Sequence, residues 1–370
     1  MSTAPSSRFA QLDGLRGLAI LLVVFYHFTP SKGIPVPLQF ALQVGWVGVD
    51  LFFVLSGFLI TGILLEEVKT PGYYGRFVAR RSFRIFPLYY VSLLLIGFVV
   101  YQPGIKWGEF LQAYGGWWFL TYLGNFYVVK LNSWPALGYL IPLWSLQVEE
   151  QFYVTYPFLV GKLREKTLVR ALVAMVVLAL VFRVAFTIAV PDLLVGPYVL
   201  MPCRMDSLAM GGLIAVMGLD RKAWTSTVAK LAYAACGLAF LGIWWVAQGT
   251  PWPATMRTIG YSLIDIAFAG LLLVLLDSRS TRLRDVFSNR PLVAIGRISY
   301  GMYLLHLPAA ELARRHVEPR LGVERGGPMD TAICVAATIV FAAIAWVAIE
   351  SPFLKLRDRL VPRVQRSMAI

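Results

Sequence analysis

An arginine and a histidine stand eleven positions apart in the first apolar stretch, LDGLRGLAILLVVFYHF. On a helix, Arg16 and His27 share one face about three turns, or ~16 Å, apart. An arginine at mid-membrane costs roughly 2.5–3.5 kcal/mol, so such groups usually mark a polar pathway or a reaction centre. Ionisable residues recur in later apolar stretches. Asp50 lies in WVGVDLFFVLSGFLITG, Glu149 and Glu150 in PLWSLQVEEQFY, Arg204 and Asp206 in CRMDSLAMGG, and His306 in GRISYGMYLLHLP. An imidazole with a carboxylate at similar depth is a general-base arrangement, able to take a proton from a hydroxyl nucleophile. The run RFVARRSFRIFP carries Arg76, Arg80, Arg81 and Arg84. Arg80 and Arg84 are one helical turn apart and can face the same anion; guanidinium forks suit phosphate. Phosphate binding beside a general base suits acyl transfer from a coenzyme A thioester to a hydroxyl. Proton-coupled transport uses the same residue types. Residue chemistry alone does not separate the two. There is no GxSxG elbow and no Walker loop, so a serine hydrolase or P-loop ATPase has no support.

The elements that must position these residues are membrane helices. The chain has 370 residues, 58% hydrophobic and 15% charged, too apolar for a soluble domain. Its net charge of +14 invites a nucleic-acid reading. However, the Lys and Arg fall in short loops between apolar spans, as in cytoplasmic loops of membrane proteins. Cys203, Cys236 and Cys334 are scattered without CxxC spacing, and the histidines are far apart. Neither a disulfide framework nor a metal site is expected. No small-residue cleavage site follows the first apolar core, so that span is expected to stay. The pattern predicts an all-α polytopic bundle of about ten spans: 12–29, 44–65, 85–102, 141–160, 168–190, 204–220, 228–248, 258–277, 293–311 and 330–350. Residues 1–370 form one domain, with no repeat. Within 101–140, the aromatic segment 113–130 is expected to be interfacial or re-entrant, with a full span as the alternative. One set of loops holds Lys69, the Arg76–Arg84 run, Lys162, Arg164, Lys166, Arg170, Arg221, Lys222, Arg279, Arg282, Arg284, Arg290 and the tail from Lys355 to Arg366. The other has Lys32, Lys106, Lys130 and Arg257. The first set should be cytoplasmic, with both termini inside. Arg314, Arg315, Arg320 and Arg325 break the pattern.

This topology places His27, Asp50, Glu149, Glu150, Arg204, Asp206 and His306 in the outer half of the membrane. Buried ionisable groups must pair or line a wet cavity, so a shared depth predicts a single cavity. Tyr303 belongs with its lining. Arg16 and the Arg76–Arg84 run lie at the inner side. Blander roles exist for each. A basic run can be a topology signal or an anionic-lipid contact. Arg16 can pair with Asp13 at i,i+3 or snorkel. His27 can be a satisfied core histidine. Gly45, Gly48 and Gly57 can serve close helix packing around Asp50. Ser299, Tyr300 and Tyr303 suit interhelical hydrogen bonds. Glu149 and Glu150 project ~100° apart, so they cannot share a partner. Arg183 and Asp265 receive no role.

Across nearly its whole length the chain resembles integral-membrane acyltransferases of the acyltransferase 3 family. LDGLRGLAILLVVFYHF, GWVGVDLFFVLSGFLITGILL, FVARRSFRIFPLYY, LWSLQVEEQFY, CRMDSLAMGGLIA and GRISYGMYLLHLP carry the resemblance, in order. It implies a roughly ten-helix bacterial inner-membrane enzyme moving acyl groups, often acetyl, from acyl-CoA to a hydroxyl. No tightly bound cofactor is expected. Acceptors would be cell-surface glycans or lipid-linked saccharides, besides lipids and small glycosides. The resemblance implies His27 as catalytic base and Arg16 as an essential partner. It also implies that Arg80, Arg81 and Arg84 hold the acyl-CoA, and that Asp50 and Glu149 support the site. Glu150, Arg204, Asp206, Tyr303 and His306 complete the expected substrate cavity. Many relatives carry an additional C-terminal SGNH hydrolase-like domain, and a chain ending near Ile370 is expected to lack one. A transporter or flippase of an acylated glycolipid is the alternative.

Overall fold

The computed structural model describes residues 7–97, 107–219, 225–277 and 281–362. Within them every regular element is helical. The long helices are α1 (Ser7–His27), α2 (Gly48–Glu67), α3 (Tyr73–Leu95), α4 (Leu143–Lys162), α5 (Glu165–Ala189), α6 (Met201–Val216), α7 (Thr225–Val246), α8 (Tyr261–Leu276), α9 (Ser299–His316) and α10 (Pro328–Ala345). A tail helix, α11 (Ser351–Leu360), follows a π turn over Trp346–Glu350. Prolines in the first turns of α6 and α10 start those helices where no intrahelical N–H bond is lost.

Among the described residues, six segments are long and apolar enough to cross a membrane: Val36–Glu67, Glu165–Ala189, Gly196–Val216, Thr227–Val246, Met256–Leu276 and Pro328–Leu360. These are the helices of a multi-pass membrane protein. The other four expected spans fall on α1, α3, α4 and α9, which mix ionisable groups into their apolar sequence. The third of the expected spans runs past residue 97, outside the described residues. Lys106, Arg221, Lys222, Arg279 and residues 363–366 also lie outside them. Between α3 and α4 the chain forms short helices at Trp107–Ala113, Gly116–Leu120 and Gly124–Leu131. Each is far short of the ~20 residues a crossing needs.

Burial sorts the helices into a centre and a rim. The apolar windows of 36–67 and 196–216 are 72% and 78% buried, while those of 165–189, 227–246 and 328–360 are only 17–22% buried. Helices α2 and α6 are therefore the hub, and α5, α7 and α10 face lipid. Two glycines set the hub's spacing. A Cβ on Gly48 would lie 2.4 Å from the Ala19 carbonyl oxygen of α1, and one on Gly57 would lie 1.9 Å from the Leu208 carbonyl oxygen of α6. No side chain fits at such a crossing.

Buried charge locks the same helices. Asp50 of α2 and Arg204 of α6 form an ion pair with no exposed surface on either side chain. The Arg204 guanidinium lies 4.6 Å from the Tyr261 ring centre. Arg183 of α5 donates to Asp206 of α6 at 2.7 Å and to the Thr258 carbonyl at 3.1 Å. Ser262 of α8 donates to the same carboxylate at 3.1 Å. Asp265 sits within electrostatic reach of both arginines. Arg183 and Asp265, which the sequence leaves without a role, are thus members of one ionic cluster. It ties rim helix α5, whose inward face is Leu168, Leu172, Ala179 and Arg183, to the hub.

Two stability outcomes are expected in unfolding of the detergent-purified protein. Gly57→Ala should lose about 1–3 kcal/mol through overpacking, although alanine is the better helix former. Gly62→Ala, whose Cβ would meet nothing within 4 Å, should lose nothing; equal behaviour of the two would refute the close crossing. Asp50→Leu or Arg204→Leu should each lose about 3–5 kcal/mol by stranding a buried charge, and the double variant less than the sum. Additive losses would reject the pair as the coupling element.

Candidate active site

Two joined cavities run along the inside of the bundle. The larger, about 730 Å³, lies between the N-terminal part of α1 and the C-terminal ends of α2 and α6. This end of the bundle is called inner below. Arg16, Arg81 and Arg84 line it, together with Asp13, Glu66 and Glu149. Its size suits a whole small ligand. The smaller cavity, about 70 Å³, lies deeper. The two share Arg16, Ser56, Leu146, Glu149 and Tyr300, which mark their junction. Successive α2 residues order the path: Ile63 and Leu59 line the wide part, Ser56 the junction, Phe52 and Val49 the narrow end. From Ile63 to Val49 is about 21 Å at helical rise.

At the junction, Ser56 donates a 2.7 Å hydrogen bond to Glu149. Tyr153, one turn further on α4, also lines the wide cavity, and the Arg81 guanidinium lies 5.4 Å from its ring centre. Glu149 thus faces the path. Glu150 lines neither cavity and lies within electrostatic reach of Tyr89, Tyr122 and Tyr300, as the ~100° offset of adjacent residues requires. Asp13 reaches Arg297 at 3.7 Å and also stays within electrostatic reach of Arg16, which lines both cavities. The buried Nε of Arg16 makes no hydrogen bond. Arg84 is close enough to be repelled by Arg16 and attracted by Glu350. Three guanidiniums crowded on one cavity are a place for an anion.

Arg80 departs from expectation. It donates to Asp358 of α11 at 2.9 Å and to the Val361 carbonyl, and does not line the path. The run turns Arg81 and Arg84 to the cavity because the tail helix offers Arg80 a carboxylate on the other side.

Near the opposite end of α1, His27 and His306 pack with ring centres 4.7 Å apart and planes at 62°. His27 Nδ1 lies 2.9 Å from the Val23 carbonyl oxygen, and His306 Nδ1 lies 2.8 Å from that of Tyr303. A carbonyl only accepts, so each neutral ring carries its proton on Nδ1 and its lone pair on Nε2. His306 Nε2 is buried without a hydrogen-bond partner among the described residues. The rings of His306 and Tyr303 are 6.1 Å apart, and Tyr303 lines the narrow cavity. Its hydroxyl donates to the Pro142 carbonyl at 2.8 Å and lies 2.6 Å from Ser145 Oγ. Tyr300 donates to the Ile85 carbonyl at 2.6 Å. Both tyrosines make the interhelical bonds expected of them, and both also line the path.

The single outer cavity expected from depth is not what forms. Asp50, Arg204 and Asp206 pair within the ionic cluster, because each buried charge finds its opposite across a helix crossing. Asp50 therefore bonds Arg204, and the expected histidine–carboxylate dyad is replaced by a pair of histidines. Glu149 groups with the inner arginines. Ser56, Ser145, Tyr153 and Glu350 escaped the sequence reading. Tyr153 had a signal, at i+4 from Glu149, while Ser56 and Ser145 look like ordinary small polar residues in apolar helices. Away from the path, Glu318, Asp330 and Cys334 bring three ligand-type atoms within 4.8 Å of one another. Arg314 already grips Asp330 through bonds of 2.9 and 3.1 Å, which supplies the positive charge a cation would bring.

The chain is similar in sequence to several known proteins. The chain is similar to the peptidoglycan O-acetyltransferase OatA of Listeria monocytogenes, 28% identical over 365 residues, covering 93% of this chain and 55% of that protein. It is 28% identical over 380 residues to YrhL of Bacillus subtilis, provisionally named a peptidoglycan O-acetyltransferase, covering 92% and 54%. A Staphylococcus aureus protein provisionally named an O-acetyltransferase is 25% identical over 368 residues, covering 93% and 57%. The chain thus spans about half the length of these relatives. No solved structure matches. A family model described as an acyltransferase domain matches residues 9–348, from the start of α1 into the π turn after α10, and the chain belongs to this acyltransferase 3 family.

Proposed function

We propose that the protein transfers a short acyl group from acyl-CoA to a hydroxyl of a cell-surface glycan, with His27 as general base. The observation that carries this reading is the tapering path. It starts at three arginines, narrows at Ser56 and Glu149, and reaches Tyr303, whose ring centre lies 6.1 Å from that of His306; His306 packs on His27, and neither histidine itself lines the path. Arg81 and Arg84 hold the phosphates of the donor, with Arg16 at the entrance to the narrow part. A CoA thioester has its phosphates at one end and its reactive carbon at the other, which matches a wide part where Arg16, Arg81 and Arg84 gather among the carboxylates and a narrow part with no ionisable carboxylate or guanidinium beyond Arg16 and Glu149. The acceptor approaches from the histidine side. Nε2 of His27 takes the hydroxyl proton as oxygen attacks the thioester carbonyl, the C–S bond breaks, and CoA leaves as a thiolate that gains a proton. The relatives' names support a glycan acceptor, peptidoglycan in theirs. The topology that suits this chemistry has ten spans in the bacterial inner membrane, both termini in the cytoplasm and the arginine mouth facing the donor pool.

His27→Ala should cut acceptor-dependent CoA release by about 10²–10⁴-fold while acyl-CoA still binds. Equal release by variant and wild type would end the general-base reading. The arginines should differ among themselves. Arg81→Ala with Arg84→Ala should weaken CoA binding by about tenfold or more, the loss of charge-assisted hydrogen bonds, in calorimetry on detergent-purified protein. Arg80→Ala should weaken it far less. A ranking with Arg80 as the strongest determinant would contradict the assigned mouth.

A further inference from the structure

We infer that the narrow end of the path is an acyl slot whose length is set by Val49, Phe52 and Tyr303. This rests on the acyl-CoA reading above and adds the residues that select the acyl chain. Val49, Phe52, Phe53, Ser145, Ser299 and Tyr303 line the narrow cavity but not the wide one, so they form its end away from the wide part. The end is rigid. Phe52 and Tyr303 meet edge to face with ring centres 6.2 Å apart. Phe53 packs edge-on to Trp144, ring centres 6.0 Å apart. Tyr303 is held by Pro142 and Ser145, as described above. A side chain tied by a hydrogen bond and an aromatic contact does not give way cheaply to a longer ligand.

Volume gives the limit. A water needs about 10–15 Å³ of such space, so the 70 Å³ slot holds about five to seven water-sized groups. An acetyl thioester places four heavy atoms there, counting sulfur, and a butyryl thioester six. An octanoyl chain adds four more carbons and has no room. Val49, Phe52, Phe53 and Leu146 give the cavity apolar lining, as an alkyl chain requires. Arg16, Ser56 and Glu149 stay at the open side, where the thioester meets the rest of the donor.

The test is a chain-length profile. CoA release by the purified full chain is measured with acetyl-, butyryl-, hexanoyl- and octanoyl-CoA and a common acceptor. Wild type should lose about tenfold or more in kcat/KM between butyryl and octanoyl. Phe52→Ala should raise the octanoyl-to-acetyl ratio by about tenfold. Val49→Leu, which adds a carbon to the slot, should lower the butyryl-to-acetyl ratio several-fold; it keeps the test decisive if Phe52→Ala does not fold. Because these are ratios within one variant, a general loss of folded protein does not move them. A flat wild-type profile, or the same profile in all variants, would overturn the slot while leaving the donor reading intact. No CoA release from any thioester would overturn both.

Discussion

A guanidinium inside a membrane bundle has to find an anion, and where each one finds it organises this molecule. Arg204 and Arg183 find theirs in protein, in Asp50 and Asp206. Those pairs join α2, α5, α6 and α8 and leave no exposed surface on the charged groups. Arg16, Arg81 and Arg84 are treated differently. Their neighbours include one another, and the cavity they share is wide enough for a ligand. Carboxylates are present, but Asp13 reaches Arg297 and Glu149 accepts from Ser56. Removing an ion from water costs several kcal/mol even after relaxation. A protein that left three such ions around an open cavity for no purpose would carry that cost without return. On the acyl-CoA reading, the arginines that make no ion pair among the described residues are the charge kept for a ligand, and the paired ones are structural.

Close packing is the second half of the same constraint. Ion pairs between helices need the helices near each other, and Gly48 and Gly57 provide that on the two sides of α2. Two α2 turns then supply Asp50 to the ionic cluster while Val49, Phe52 and Ser56 face the path. The helix is a partition between a dry charged core and a hollow one. Its near-uniform hydrophobicity reflects burial on nearly all sides, not lipid contact.

Much of this was legible in the sequence, because membrane burial makes ionisable residues conspicuous. The helices at α1, α2, α4 and α9, the arginine run and the identity of most polar path residues follow from apolar periodicity and misplaced charge. Partnership was not legible. Asp50 and Glu149 look alike along the chain, each two turns into an apolar stretch. One is taken by Arg204, the other by Ser56 and the cavity, and only the crossing of α2 with α4 and α6 decides it. Arg80 and Arg84 satisfy the one-turn rule, but a carboxylate nearly three hundred residues away draws Arg80 off. Sequence spacing reports which groups share a face; long-range packing determines what that face meets.

The histidine pair shows what that distinction does for mechanism. A lone histidine invites a search for a carboxylate to orient it, and Asp50 stood at the right depth. Here the orienting groups are backbone carbonyls one turn below each ring. They fix the tautomer without adding charge, and both Nε2 atoms remain acceptors. An uncharged pair is the cheaper solution where no water can screen an ion. On the acyl-transfer reading, this division assigns phosphate charge to one end and neutral imidazoles to the other, with an aromatic wall between them. That wall has its own use, since a thioester held beside a base must be kept from water. On that reading Tyr303 is both the far end of the donor slot and the neighbour of His306, so an acceptor hydroxyl coming from the histidines must displace or pass this ring to meet the thioester carbonyl.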